Sequence, residues 1–335
     1  LRSILEWLEI QVAAENGQDW HLHIPPYRHD VTRPADVAEE ILRIYGFNAV
    51  ELPSKMSIAT PGDAGRREGQ YREKLSQSLS ARGFREIMNN SLSSAQRFPS
   101  PPWDPETFIP ILNPLSQELG ILRPSLLPGG LETIAYNARR QQQIHRLYEW
   151  GRTYHQYGDK RQEAPTLGIW ISGPEQPENW RYARRDSDFF TLKQEVLLLL
   201  STMGFSAPKE KATSQGQFLE GLHLQQGKKI LATLGQVNPS LLENQDLEQP
   251  VYYAEIPWDQ LLQGSREHKV ILEDLPRYPE VSRDLALLID DDVKYQVLRN
   301  AAFQAESKLL REVNLFDVYR GKNLPSGKKS YALRF

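Results

Sequence analysis

Short extended runs and amphipathic helical runs follow one another along this chain without the strict strand–helix–strand alternation that a parallel sheet requires. Over roughly 66 to 262, that irregular order predicts an α+β fold built on an antiparallel sheet. Helices are expected at Glu68–Arg82, Leu131–Gln142 and Leu192–Met203, where apolar residues recur at helical spacing. Strands are expected at Arg85–Ser91, His145–Trp150, Thr166–Ser172 and Ile230–Leu234, and Pro99-Ser100-Pro101-Pro102 marks an exposed loop. At 335 residues the chain exceeds what one core usually supports, so two or three domains are expected.

Smaller units flank this region. Leu1, Ile4, Leu5 and Leu8 have helical spacing, strand runs at Glu9–Ala13 and Trp20–Ile24 surround Glu15-Asn16-Gly17, and a second helix fits Pro34–Tyr45 with Gly46 as its stop. Two helices and a hairpin "wing" predict a winged-helix-like unit over 1–52. A linker punctuated by Pro53, Ser54, Pro61, Gly62 and Gly65 follows. From about 275, after Leu275-Pro276-Arg277, the order is strand Arg283–Ile289, helix Tyr295–Ala305, strand Val313–Tyr319, a turn at Pro325-Ser326-Gly327 and strand Lys329–Phe335. That is β-α-β-β, the opening part of a ferredoxin-like domain. The expected boundaries are 1–52, 53–270 and 271–335. The opening LRSILEWLEI reads as the middle of an amphipathic helix, and the last strand ends abruptly, so a piece of a longer polypeptide is expected.

Composition sets limits on chemistry. A net charge of −3 gives no global nucleic-acid signature, so any basic surface is local. With no cysteine, disulfides and thiolate metal sites are excluded. No apolar run approaches the ~20 residues of a membrane helix, and the N-terminus lacks the zones of a signal peptide.

Asp30, Asp36, Glu39 and Glu40 form an acidic cluster at the second helix. With Asp36 set at zero, Glu39 falls near roughly −60° and Glu40 near roughly +40°, while Val37, Ile41, Ile44 and Tyr45 centre near roughly +120°. Three carboxylates thus share one face, and Asp30 can fold back toward it. Four carboxylates suit a hard cation such as Mg²⁺. Acids in a first turn also simply complement the helix dipole, and on spacing alone this solvated reading is the stronger.

Elsewhere, Val318 to Phe335 carries Arg320, Lys322, Lys328, Lys329 and Arg334 with no acid. These cations can engage phosphates, and Tyr319 and Tyr331 can stack on exposed bases. The alternative, a solvated basic turn with tyrosines in the core, stands about equal. His21 and His23 alternate on a strand without a third ligand, which favours structural or solvent-facing roles. Arg123, in a loop before a helix, more often pairs with a carboxylate than with phosphate. The chain has no P-loop and no Gly-x-Gly-x-x-Arg. The triplets Arg66–Glu68 and Arg161–Glu163 stand in hydrophilic surroundings poor in strand signals.

Residues 24–47, IPPYRHDVTRPADVAEEILRIYGF, resemble the B5 domain of bacterial phenylalanyl-tRNA synthetase β subunits. Asn113-Pro114-Leu115-Ser116, Leu122 to Gly129, Tyr148-Glu149-Trp150-Gly151-Arg152, Asp188 to Lys193 and Leu234 to Pro239 are similar to the same family's middle region. Tyr278 to Ala286, Leu315 to Gly321 and Leu324 to Ser330 resemble its ferredoxin-like anticodon-binding domain. The resemblance implies a class II synthetase-like core without an active site, inactive alone. It implies an α-subunit partner in an assembly of two α and two β chains, tRNA(Phe) binding and a cytoplasmic setting. It further implies Mg²⁺ at Asp30, Asp36, Glu39 and Glu40, and tips the basic C-terminal run toward RNA. An autonomous class II-like ATP-dependent ligase is the alternative. A winged-helix DNA reader ranks low, because Asp36, Glu39 and Glu40 stand where basic or amide side chains are needed.

Overall fold

Few of the apolar side chains in the first fifty positions are buried: Leu5, Ile10 and Val31 are, and the local elements gather around them. The computed structural model describes residues 1–17, 19–51, 53–58, 63–265, 278–321 and 324–335. Helix α1 (Arg2–Trp7) leads into a hairpin of β1 (Gln11–Asn16) and β2 (Asp19–His23), paired from Gln11↔His23 to Asn16↔Asp19. β1 starts later than expected because Ile10 N–H still bonds Leu5 C=O and Glu9 sits at φ +58°. Helix α2 (Pro34–Tyr45) has the expected bounds, with Pro34 in its first turn and Gly46, at φ +95°, as its stop.

Helix α3 (Asp63–Ala81) precedes β3 (Arg85–Glu86), which is far shorter than the expected Arg85–Ser91. The strand ends because Asn89 turns its N–H and carboxamide to Glu149, and Asn90 Oδ1 accepts from Leu92 N–H at 2.9 Å. β4 (Leu92–Ser93), β5 (Ile109–Pro110) and β6 (Ile121–Leu122) form a small antiparallel sheet in the order β4-β6-β5. Helix α4 (Leu127–Ala138) begins four residues early, because Pro128 suits a first turn, and it stops before Gln141 at φ +64°.

β7 (His145–Tyr157) and β8 (Lys160–Ser172) pair along thirteen residues each, a hairpin much longer than predicted, turning at Gly158. Helix α5 (Phe189–Thr202) is capped by Asp188, whose Oδ1 accepts from Thr191 N–H at 2.8 Å. β9 (Lys209–Thr213), β10 (Phe218–Gln226), β11 (Lys229–Val237), α6 (Pro239–Glu243), β12 (Val251–Pro257) and α7 (Trp258–Ser265) follow. The large sheet runs β3-β7-β8-β12-β11-β10-β9, antiparallel except where β3 meets β7. This is the expected α+β class.

Alternation along β8 sends successive side chains to opposite faces. Ile169 and Ile171 pack with Leu75 and Leu79 of α3 and Leu192, Val196 and Leu199 of α5. Trp170 points the other way, among Leu127, Leu131 and Ile134 of α4 and Leu241 of α6. Glycine makes room for it: a Cβ on Gly168 would stand 2.5 Å from the indole, and one on Gly130 would overlap it.

The chain divides into two compact units, Leu1–Gln263 and Gly264–Phe335. In the second, β13 (Asp284–Asp290), α8 (Tyr295–Ala305), β14 (Asn314–Tyr319) and β15 (Lys328–Arg334) form an antiparallel sheet in the order β13-β15-β14. The β-α-β-β order is the expected one. The opening Leu275-Pro276-Arg277 and the linker's Pro61 and Gly62 lie outside the described residues, as does the expected boundary at 270/271. Among the described residues, no helix is long and apolar enough to cross a membrane.

Candidate functional site

The acidic cluster on α2 comes with its own cations. Arg28 Nη2 lies 2.8 Å from Asp30 Oδ2 and 3.0 Å from Glu40 Oε2. Arg43 Nη2 donates to Glu40 Oε2 at 2.8 Å. Asp36 Oδ1 accepts from Arg33 Nη2 at 2.9 Å, and its Oδ2 accepts from the N–H groups of Thr32 and Arg33 at 2.9 and 2.8 Å. Asp36 is thus the acid of a capping box. These partners shift the acids downward. Arg33, aided by the two N–H groups, holds the Asp36 carboxyl far below the usual carboxylate range. Arg28 lowers that of Asp30, and Arg43 and Arg28 lower that of Glu40.

Glu39 is exposed. Among the described residues, no group of three or more His, Cys, Asp or Glu side chains is placed to hold a metal ion. As arranged, the four acids do not fit the expected Mg²⁺ site. Mg²⁺ demands oxygen ligands in near-octahedral geometry, and three of these carboxylates already answer guanidinium groups. The helical-wheel reading left out Arg33 and Arg43, which lie three residues from Asp36 and Glu40. His21 and His23 are both exposed on β2.

In the middle region, a cleft of about 540 Å³ beside β7 is lined by residues that include Arg72, Asn89, Arg123, Glu149, Trp150 and Arg152. Arg123 Nη1 donates to Glu149 Oε1 at 2.7 Å, and its Nε donates to Arg152 C=O at 3.1 Å. Asn89 Nδ2 donates to the other oxygen of Glu149 at 2.9 Å. Arg123 therefore ties the loop before α4 to β7, which is the carboxylate-paired role. Arg152 pairs with Glu163 at 2.9 Å, and Arg72 lies over the Trp150 ring at 5.3 Å. Arg161 and Glu163 lie within β8. Their surroundings are strand after all, because the hairpin runs on to Gly158. All three arginines of the cleft are engaged, whereas adenylate formation needs cations free to meet phosphate.

The C-terminal run is not the acid-free basic surface its local sequence predicts. Its acids come across the sheet from β13 and the turn after it. Arg334 forks onto Asp284, both contacts at 2.8 Å; Lys328 Nζ lies 2.7 Å from Asp290 Oδ1; and Arg320 lies 3.5 Å from Asp291. Lys329 is buried at 4% exposure, donates to Asp291 C=O at 2.7 Å and sits over the Tyr331 ring. Lys329 and Tyr331 are interior groups. A charge count along one strand cannot see cross-strand partners. Tyr319 is 45% exposed, and Arg320, Lys328 and Arg334 remain solvent-accessible in their ion pairs. Lys322 lies outside the described residues.

Three family models match the chain. The phenylalanyl tRNA synthetase beta chain CLM domain covers residues 52–258, the ferredoxin-fold anticodon binding domain 276–335, and the tRNA synthetase B5 domain 1–47. Curated relatives named phenylalanine–tRNA ligase beta subunit include one from Porphyromonas gingivalis, 41% identical over 350 residues. A second, from Bacteroides fragilis, is 37% identical over 355 residues. Each alignment spans 100% of this chain and 43% of the relative, so the chain spans less than half the length of the proteins it matches. A solved pyrrolysyl-tRNA synthetase from Desulfitobacterium hafniense aligns over 59% of this chain and 69% of its own, at 16% identity and a TM-score of 0.48, too remote to bear on the fold.

Proposed function

The chain belongs to the phenylalanyl-tRNA synthetase β-chain family, and on that footing we propose that it is a non-catalytic portion of a β subunit. It scaffolds a catalytic α subunit and helps to bind tRNA(Phe) for ATP-dependent phenylalanylation. The observation that carries this reading is the buried Arg123–Glu149 pair at 2.7 Å, which commits the cleft's innermost cation to a carboxylate. With Arg152 and Arg72 also engaged, the cleft supports loop shape rather than a triphosphate. Nothing in that arrangement favours an autonomous ATP-dependent ligase.

Three domains serve the proposed role: a winged-helix-like B5 unit over 1–52, a class II synthetase-like core over 53–270, and a ferredoxin-like anticodon-binding unit over 271–335. The native assembly is two α and two β chains in the cytoplasm. RNA contact falls to Tyr319, as a stacking face, and to Arg320, Lys328 and Arg334. Their exposed ion pairs are weak enough to be exchanged for phosphate contacts. Lys322 belongs with them by its place in the sequence. Asp30, Asp36 and Glu40 hold α2 to its preceding loop through arginine, and no step is assigned to Mg²⁺.

Sedimentation velocity of the chain mixed with the family's α subunit tests the scaffold. A joint boundary at micromolar concentration is expected, and two independent boundaries would overturn the assignment.

A further inference from the structure

The segment between β8 and α5 is tied at both ends of its excursion. Ser187 N–H donates to Gly173 C=O at 3.0 Å, Glu175 N–H donates to Arg185 C=O at 2.9 Å, and Pro174 bridges to Asp186. Thr191 Oγ1 donates to Glu175 Oε1 at 3.0 Å. At the far end, Asn179 Oδ1 accepts from the N–H groups of Arg181 and Tyr182, both at 3.0 Å. That turn presents Trp180 at 94% exposure and Tyr182 at 61%. An indole held open to water on a braced turn is an unused stacking face.

Beside it lies a cleft of about 800 Å³, lined by 174–179, 182–185 and Gln141–Ile144, with Trp180 and Arg181 on the turn outside that lining. Its side chains include the carboxamides of Gln141, Gln142, Gln143 and Gln176, each offering donors and an acceptor, whereas that of Asn179 is taken up by its own turn. Ion pairs absorb most of the local charge: Arg184 with Asp186 at 3.0 Å, Arg185 with Glu175 at 3.4 Å, and Arg139 with Asp246 at 3.8 Å. Asp188 serves as the α5 cap. Within 174–187 that leaves Arg181 against Glu178, and Arg140 directly precedes the Gln141–Ile144 wall. Each of these two guanidiniums lies over an exposed tyrosine, Arg181 over Tyr182 at 5.6 Å and Arg140 over Tyr136 at 3.4 Å.

From this combination we propose that the Trp180 loop and its cleft form a second RNA-contact site, taking an unpaired nucleotide and its phosphate. The indole stacks on the base, the carboxamides meet base edges, and Arg181 meets the phosphate. Trp, Tyr and Arg also mark protein interfaces, but the lining beside them is mostly carboxamide and charged, its aliphatic part limited to Ile144, Pro174, Pro177 and Ala183. The proposal deepens the RNA-handling reading above and takes its choice of probe from it.

The test is fluorescence anisotropy of the 335-residue chain with a labelled single-stranded RNA of about ten nucleotides, a length matched to such sites. The titration is repeated from about 50 to 200 mM salt. Trp180→Ala is expected to weaken binding roughly tenfold. Arg181→Gln is expected to lower the salt slope by about 0.7. Both positions are surface turns, so unchanged melting curves certify the fold.

Tyr319→Ala runs in parallel. An effect at Trp180 with none at Tyr319 supports the second site and contradicts the C-terminal assignment. An effect at Tyr319 with none at Trp180 or Arg181 overturns the second site alone. Absence of RNA binding by the unmodified chain overturns it as well. So does a Trp180→Ala chain that keeps RNA affinity but loses its α-subunit boundary, since the loop would then be a protein contact.

Discussion

Arg123 Nη1 stands 2.7 Å from Glu149 Oε1, with both side chains buried at the floor of the cleft, so the loop before α4 is bolted to β7 by opposite charges. Breaking one side leaves the other charge buried and unpaired. Arg123→Ala is expected to destabilise the chain by about 3–5 kcal/mol. Arg123→Met with Glu149→Leu, which removes both charges, is expected to recover most of that. Urea denaturation midpoints of the three proteins check it; a single variant no worse than the double would show that the pair is not the anchor.

Trp170 fills a slot that two glycines leave open. Gly130→Ala is expected to cost about 1–3 kcal/mol by forcing the indole off its place. Adding Trp170→Phe relieves the overlap, so the double variant should melt above the sum of the two single effects. Strict additivity in thermal melts would mean that the glycine and the ring are not in contention.

The acidic face makes the N-terminal unit sensitive to acid. The carboxyls of Asp36, Asp30 and Glu40 are all lowered in the folded chain, so each binds its proton less readily folded than unfolded. Their stabilisation is present above the usual carboxylate pKa of about 4 and is lost as pH falls through the folded values. The helical signal of α2 is expected to weaken progressively below about pH 4, and Asp36→Asn should flatten that dependence. A profile unchanged by Asp36→Asn would assign the acid response to other groups.

Because Arg28 bridges Asp30 and Glu40, added Mg²⁺ has little to bind. Millimolar Mg²⁺ or a chelator is expected to leave the melting temperature of the isolated chain unchanged. Arg28→Gln combined with Arg43→Gln should release both acids and confer a Mg²⁺-dependent rise, since a ligand that binds only the folded state stabilises it. A rise in the unmodified chain would show that the arginines yield to the cation.

Much of the architecture was legible in the sequence. Helix α2 falls on Pro34–Tyr45 because proline and glycine punctuate both its ends. The α8 bounds and the β-α-β-β order also follow from periodicity. The long β7–β8 hairpin was underread because its outer half, from Arg152 to Glu163, is polar and half-exposed, so apolar alternation fades while the backbone pairing continues. β9, β10 and β12 are also absent from the expected strands, β9 for a related reason. Lys209–Thr213 is an exposed edge strand, while Val251–Pro257 is largely buried and as long as the strands that were expected. At the sites, residue types were readable but their partners were not. Asp284 and Asp290 lie some forty to fifty positions from the cations they meet, and only the register of β13 with β15 joins them. Trp180-Arg181-Tyr182 carried a readable basic–aromatic signal, which the charge balance of its neighbours obscured.

On the proposed function, the chemistry resides in a partner. Phenylalanine-dependent exchange of labelled pyrophosphate into ATP measures adenylate formation directly. The chain alone is expected to give no exchange above the blank at any Mg²⁺ concentration, with activity appearing only when the α subunit is added. Labelled ATP formed by the chain alone would contradict it.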